Sequence, residues 1–404
     1  MKKLSLSKQV IIASILALIA GAVFGEKMKY ISFLGDIFLR LIQMSVVFLV
    51  MSAIIESVGS IEPLELGKIG SKAIGLFIIT TIYSAFIGVI TVNLMKPGVN
   101  VIGITPGKFE GEILNIKISE LITNFFPKNI VQSMAEGNMI HIIVFSIFFG
   151  LAISLLRKNG SEPKVYSFIK DFGKVIMQII EYVMGFAPIG VFALLSSITG
   201  SLGIAIIFPL LKYLISMYVA TIIIFSTLLV IVSLYGKVNP FRVLLKLKDT
   251  IIVSVTTTSS AISLPIQMSD CENKLGISPR ISRLVNTLAM SLNSDGLSLT
   301  LSISCIMVAQ FYGIHLTLQQ QIVIIAIATL STMGNLLVPG GALVAISIAL
   351  NMTGLPLEGV ALFAGVDWFA GISRTLLNVI DDVLCTFFIA INEKEFDREI
   401  FEKN

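Results

Sequence analysis

Charge is what this sequence has least of. Asp, Glu, Lys and Arg make up 13% of its 404 residues, where soluble domains carry about a quarter. Hydrophobic residues make up 55%, and the mean hydropathy is +0.93. That balance excludes a water-soluble globular protein and implies a polytopic membrane protein. The formal charge of +4 is too small for a nucleic-acid footprint and reads as loop bias. Histidine and cysteine are also rare, at two and three residues. His141 and His315 have no nucleophile or metal partner at motif spacing, so His141 reads as a packed helix residue and His315 as an exposed loop residue. Cys271, Cys305 and Cys385 lack metal-ligand spacing, and an odd count gives no disulfide framework. They read as apolar fillers. Neither a phosphate-binding glycine loop nor HExxH occurs, so the chain is not expected to be an enzyme.

Long apolar runs are what the sequence does have. Segments of spanning length occur near 9–25, 33–57, 71–95, 138–157, 173–199 and 203–235. The first follows a basic start, "MKKLSLSKQ", like a signal peptide, but further spans follow it. It reads as an uncleaved first helix with its N-terminus in the cytoplasm. The stretch 96–128 is a polar loop. Lysines and arginines cluster in 157–174 and 237–248 and are absent from "SITGSLG" between them. Both basic loops are therefore placed in the cytoplasm, along with both termini.

After residue 240 the pattern changes. "SVTTTSSAISLP" (254–265) puts six hydroxyl residues in 254–260, and "STMGNLLVPGGA" (331–342) breaks a second apolar stretch with Gly, Asn and Pro. Lipid tolerates broken backbone only where protein or a wet cavity surrounds it. Both read as tips of re-entrant hairpins, with long helices over 282–312 and 357–392 after them. The layouts match: Pro265 precedes Asp295 by 30 residues and Pro339 precedes Asp367 by 28. Interrupted segments at corresponding positions of two halves mark a transporter site.

The last long apolar stretch carries "DWFAGISRTLLNVIDD" (367–382). An ionised residue at mid-bilayer costs about 2.5–3.5 kcal/mol on insertion scales. At about 100° per residue, Asp367, Arg374, Asn378, Asp381 and Asp382 share one face, with Gly371 among them. One arginine cannot neutralise three carboxylates, so the surplus wants a cation. A second cluster is "NSDG" (293–296). Asn293 and Asp295 diverge on a regular helix, and Gly296 is the expected point of unwinding. All candidate ligands are oxygens, which suit hard cations rather than transition metals. Thr80 and Thr81 could join them, although a helical Thr usually bonds its own backbone. Arg374 is the anion-binding candidate because its planar fork matches a carboxylate. Thr258, Ser259 and Ser260 at the first hairpin tip could hold a second carboxylate. The sum is cation-coupled uptake of a small anion.

These residues resemble the glutamate/dicarboxylate:cation symporter family. The likeness runs through "GDIFLRLIQM", "EGNMIHIIVFSIFFG", "APIGVFAL", "SSAISLP", "NSDG", "VPGGA" and "RTLLNVIDD", in family order. The resemblance implies an all-α fold of eight spanning helices and two re-entrant hairpins built as inverted repeats, a homotrimer among membrane lipid, and an elevator motion. It assigns 1–70 to the scaffold, 71–95 to the third helix of the transport domain, 96–200 to a loop and further scaffold helices, and 201–404 to the transport domain. Within the last lie a first hairpin (about 243–278), a helix (282–312), a second hairpin (about 317–352) and a final helix (357–392). It implies a substrate site of Arg374, Thr375, Asn378, Ser259, Ser260, Val338 and Gly371. It implies sodium ligation by Asn293, Asp295, Thr80, Thr81, Asn378 and Asp382, with Ser294 and Thr332 nearby; proton coupling remains an alternative.

Four departures from the family pattern bear on function. Ser294 and Leu297 replace the Met and Thr of the usual Asn-Met-Asp-Gly-Thr motif. Leu336 and Leu337 replace small residues before Val338 and Pro339. Phe48 stands where proline is common. Gly371 stands where acidic amino-acid carriers place the aspartate that binds the substrate's amino group. An ammonium without a partner is costly to desolvate, so the sequence leans towards a C4-dicarboxylate. The alternatives are an amino-acid carrier using backbone carbonyls or Asp367 and, in another class, an anion channel.

Overall fold

The computed structural model describes residues 6–60, 69–99, 126–137, 139–158, 161, 163–203, 206–332 and 341–403. A chain in hydrocarbon must satisfy its backbone internally, and this one does so with helices. Among the described residues the sole β pairing is an isolated bridge between Ile277 and Phe396.

The first half comprises α1 (Leu6–Phe24), α2 (Ser32–Ser60), α3 (Ser71–Met95), α4 (Ile130–Glu136), α5 (Met139–Lys158), α6 (Lys164–Gly185), α7 (Ala187–Leu202) and α8 (Ile207–Gly236). The apolar run near 173–199 is not one helix. A turn at Phe186 divides it, and Pro188 stands in the first turn of α7. Proline has no N–H to give and its ring displaces the carbonyl four residues back, so the helix restarts there.

The second half begins with α9 (Pro240–Lys246), α10 (Lys248–Thr257) and α11 (Ser260–Asn273). The last two form the first hairpin around Thr258 and Ser259. Thr258 takes a left-handed conformation (φ +49°), and the Ser259 hydroxyl accepts from the Ile262 N–H to start α11. Pro265 thus lies inside α11, past the tip where the sequence reading put it. Lys274 closes the hairpin base, bonding Asp249 and Asp270 at 2.6 Å each. Next come α12 (Pro279–Leu292) and α13 (Asp295–Phe311), then α14 (Leu318–Ser331) and α15 (Gly341–Thr353), which pack on each other. The tip between these two, holding Leu336, Leu337, Val338 and Pro339, lies outside the described residues. The chain ends with α16 (Val360–Ala364), α17 (Asp367–Asn392) and α18 (Arg398–Lys403).

Among the described residues, four stretches are long and apolar enough to cross a membrane by length and composition: Ser71–Met95, Ile207–Gly236, Pro279–Phe311 and Asp367–Asn392. The outward face of α8 is apolar. Phe208, Leu211, Ile215, Ile222 and Leu234 of α8 are all exposed, as a lipid-facing stripe requires and a water-facing one would not allow. Inward, α17 packs on α8, α10, α12 and α13, and α13 packs on α3. The polar face of α17 is enclosed by protein.

Gly296 decides how closely α13 and α17 approach. A Cβ there would lie 2.2 Å from the Arg374 carbonyl oxygen, and backbone cannot swing aside as a side chain can. Gly296→Ala is therefore expected to cost about 1–3 kcal/mol, as overpacking does. Thermal unfolding in detergent, followed through the single tryptophan Trp368, checks it; unchanged stability would refute the close-packing assignment.

Candidate functional site

The polar face of α17 divides into two zones. At its N-terminal end Arg374 Nη1 donates to Asp367 Oδ1 at 3.1 Å, and both side chains are 17% exposed. Deeper in, Asn378, Asp381 and Asp382 are buried. The carboxylate surplus therefore does not surround the arginine. Asp367 takes one guanidinium edge, and the other two acids belong to a separate cluster.

That cluster is organised by a broken helix. α12 ends at Asn293, whose backbone is extended (φ −103°, ψ 122°), and α13 begins at Asp295. The break lies at Asn293–Ser294, not at Gly296, whose lack of a side chain serves interhelical contact. The extended residue turns Asn293 and Asp295 to the same side, which a continuous helix would forbid. Asn378 Oδ1 then accepts from the Gly296 N–H at 2.7 Å. A side chain of α17 thus satisfies one of the free donors that every helix start exposes.

Asn293 is the hub. Its Nδ2 donates to Asp381 Oδ2 (2.9 Å) and to Asp382 Oδ1 (3.0 Å), which spends both amide hydrogens. The Thr81 hydroxyl stands 2.7 Å from Asp295 Oδ1 and 3.3 Å from Asn293 Oδ1. Thr80 donates to the Phe77 carbonyl and lies beside the Asp295 carboxyl. The structure brings Thr81, Asn293 and Asp295, expected at one cation site, together with Asp382, expected at another, and Thr80 stands beside them. Ser294 is fully buried and its Oγ has no hydrogen-bond partner among the described residues; Asp295 Oδ2 and Asp381 Oδ1 share that condition. Asp381 was not among the expected ligands, yet it occupies the centre of the group.

Other expected members lie apart. Thr332 ends α14 with its hydroxyl bonded to the Thr329 carbonyl at 2.7 Å. No hydrogen bond among the described residues joins it to the cluster. Val338 lies outside the described residues. Ser259 and Ser260 start α11, half-buried. Thr375 is buried on α17 next to Arg374. Gly371 faces the arginine: a Cβ there would have Arg374 Nη2 at 3.4 Å and nothing else within 4 Å among the described residues.

A buried amide network behind the cluster escaped the sequence reading. Asn286 Oδ1 accepts from Gln267 Nε2 (2.8 Å) and from Thr386 Oγ1 (3.0 Å), tying α11, α12 and α17 together. The available signal was spacing, since Asn286 precedes Asn293 by two helical turns and shares its face.

Chemically the cluster suits a hard cation. Its unsatisfied atoms are oxygens, and three buried carboxylates have no lysine or arginine partner among the described residues. Mixed amide, hydroxyl and carboxylate oxygens around a monovalent ion fit this arrangement; a transition-metal centre does not.

The sequence profile of the Sodium:dicarboxylate symporter family matches residues 6–391. The chain belongs to that family. It is 33% identical over 412 residues to the proton/sodium-glutamate symport protein of Geobacillus stearothermophilus, covering 99% of this chain and 97% of that one. The C4-dicarboxylate transport protein of Bacillus subtilis is 32% identical over 405 residues, with 97% and 94% covered. The proton/glutamate-aspartate symporter of Escherichia coli is 32% identical over 416 residues, with 98% and 95% covered. Family membership makes the chain a cation-coupled dicarboxylate or amino-acid symporter in a membrane. The relatives carry both substrate classes at nearly equal identity, so the choice between them falls to the site.

Asn293→Ala removes the shared donor and leaves Asp381 and Asp382 facing each other unbridged. Loss of hydrogen bonds to charged, buried groups is expected to cost about 2–4 kcal/mol. Thermal unfolding in a sodium-free buffer measures it. A cost no larger than that of Thr81→Val, which removes one donor from one carboxylate, would refute the hub assignment.

Proposed function

We propose that this chain is a sodium-coupled symporter of a small dicarboxylate without an amino group, of the C4 class. The observation that carries the substrate is Gly371. The position faces the Arg374 guanidinium and has room for a side chain, yet it supplies none. An incoming ammonium would find one nearby acid, Asp367, and that acid is already ion-paired to Arg374. A second carboxylate on the substrate has no such difficulty. Arg374 spends one donor on Asp367 and keeps the rest of its fork for a planar anion.

Sodium as the coupling ion is supported by the ligand set of Asn293, Asp295, Thr80, Thr81, Asn378 and Asp382. Amide and hydroxyl oxygens complete a sodium coordination shell, whereas a carboxylate alone suffices to take up a proton. When bound, the cation supplies the positive charge that the buried carboxylates lack. Asn378 links the two zones, since it lies one helical turn from Arg374 and caps the helix that begins at Asp295. An ion that fixes this break also fixes the arginine. The family likeness further supports a homotrimer in the cell membrane with both termini cytoplasmic. It supports an elevator motion of 71–95 with 201–404 against the remaining helices.

A second reading has one observation in its favour. Asp367 accepts a single bond, from Arg374, among the described residues, which leaves an oxygen for an amino acid's ammonium.

Uptake of radiolabelled succinate and aspartate into proteoliposomes, with and without an inward sodium gradient, separates the readings. Succinate uptake is expected to follow the gradient and aspartate to compete weakly; the reverse order would overturn the Gly371 argument. Arg374→Ala is expected to lower anion uptake about thirtyfold or more, the scale of losing one partner of a desolvated charge pair. Gly371→Asp is expected to fold normally, to lose succinate uptake and to gain aspartate binding. Retained succinate preference in that variant would show that position 371 does not select the substrate.

A further inference from the structure

Asp381 has no role in the reading above, although it lies between the two groups of cation ligands. Its Oδ2 accepts from Asn293 Nδ2 at 2.9 Å and weakly from Cys385 Sγ at 3.7 Å. Its carboxyl is within hydrogen-bonding reach of the Asp295 carboxyl on one side, and it adjoins Asp382 on the other. Its Oδ1 and Asp295 Oδ2 are both buried with no hydrogen-bond donor among the described residues, and the side chain is 1% exposed.

Donor counting leaves these oxygens unaccounted for. Three carboxylates present six acceptor oxygens. Against them stand the two amide hydrogens of Asn293, the Thr81 hydroxyl and one weak thiol. A structural acceptor serving Asn293 alone needs only an amide or a carbonyl. A carboxylate there adds a full charge beside two others, with no basic partner among the described residues. Such a charge persists in a buried site only if something positive enters with it.

We propose that Asp381 is a cation-binding residue of this chain, its carboxylate shared between a sodium held by Asp295, Asn293 and Thr81 and a second sodium held by Asp382 and Asn378. The sharing follows from position, since Asn293 already bridges Asp381 to Asp382 while Asp381 abuts Asp295. Two ions that share one carboxylate bind cooperatively. The first to arrive fixes Asp381 and Asn293 in place, and the second finds its ligands ordered. The third carboxylate also makes the empty site more repulsive, so the cation-free protein is the less stable form.

The proposal rests on the sodium-coupled reading, and its test separates the two. Sodium binding to the purified full chain in detergent is followed by isothermal titration and by the sodium-dependent rise in unfolding temperature. The wild type is expected to bind sodium with a sigmoidal curve and a clear thermal gain. In Asp381→Asn the sodium affinity falls about tenfold or more, consistent with losing one charge from a partly desolvated site. The curve loses its sigmoidal shape, and the sodium-free protein becomes no less stable than the wild type. Asp381→Ser, which lacks both charge and amide, repeats the affinity loss should the asparagine variant fail to fold. A purely structural role would lower stability in both media and leave the sodium affinity intact. Unchanged affinity and curve shape in either folded variant overturn the assignment of Asp381 alone. A wild type indifferent to sodium overturns both this assignment and the sodium-coupled reading.

Discussion

The structure depends on holding three carboxylates together, out of water, without a basic side chain. Asp295, Asp381 and Asp382 are each at most 1% exposed, and Asn293 serves two of them with one amide. In a protein interior such a group is an expense with no return, because buried ionised acids are tolerated only when paired. In a carrier the missing counter-charge can be the cargo. On the proposed reading, the same deficit that would destabilise an ordinary helical bundle gives the site its affinity for a cation.

The broken helix follows from that demand. A continuous helix would send Asn293 and Asp295 to opposite faces and leave only one of them towards Asp381 and Asp382. Extending the backbone at Asn293 and restarting at Asp295 brings both inward, at the cost of free N–H and C=O groups near the break. Asn378 meets part of that cost through Gly296 N–H, and the glycine lets α17 approach near enough to do so. Break, cap and glycine form a single solution, and the Asn286 network anchors it from behind through Gln267 and Thr386.

The large features were legible in the sequence because membrane insertion makes polar residues expensive. Intramembrane Asp367, Arg374, Asn378 and Asp382 declared a site by surviving in an apolar run, and "NSDG" declared a break by its composition. The legible part stops where a residue can serve two ends. Gly296 reads equally as a point of unwinding or of close approach, and only the Arg374 carbonyl at its back decides. Pro265 marks an interrupted segment without saying whether the turn is at the proline or, as here, at Thr258–Ser259. Asp381 was visible on the polar face, but spacing along one helix cannot reveal that its neighbours are an asparagine and an aspartate from another.

The two zones of α17 also explain why a single glycine can bear on substrate choice. Where an acid faces an arginine, the pair is neutral and a zwitterion can bind across it. Where the acid is absent, the arginine keeps excess positive charge for an anion. Here Asp367 neutralises part of Arg374 from one turn further towards the helix start, and Gly371 leaves the nearer flank open. On the proposed reading, a dicarboxylate meets one unopposed edge of the guanidinium, while an ammonium must compete with that edge for Asp367. The deep carboxylates do not enter this contest, because Asn293 and Thr81 hold them on the far side of Asn378. Separation of the acids into two zones lets cation affinity and anion selectivity change independently along one helix.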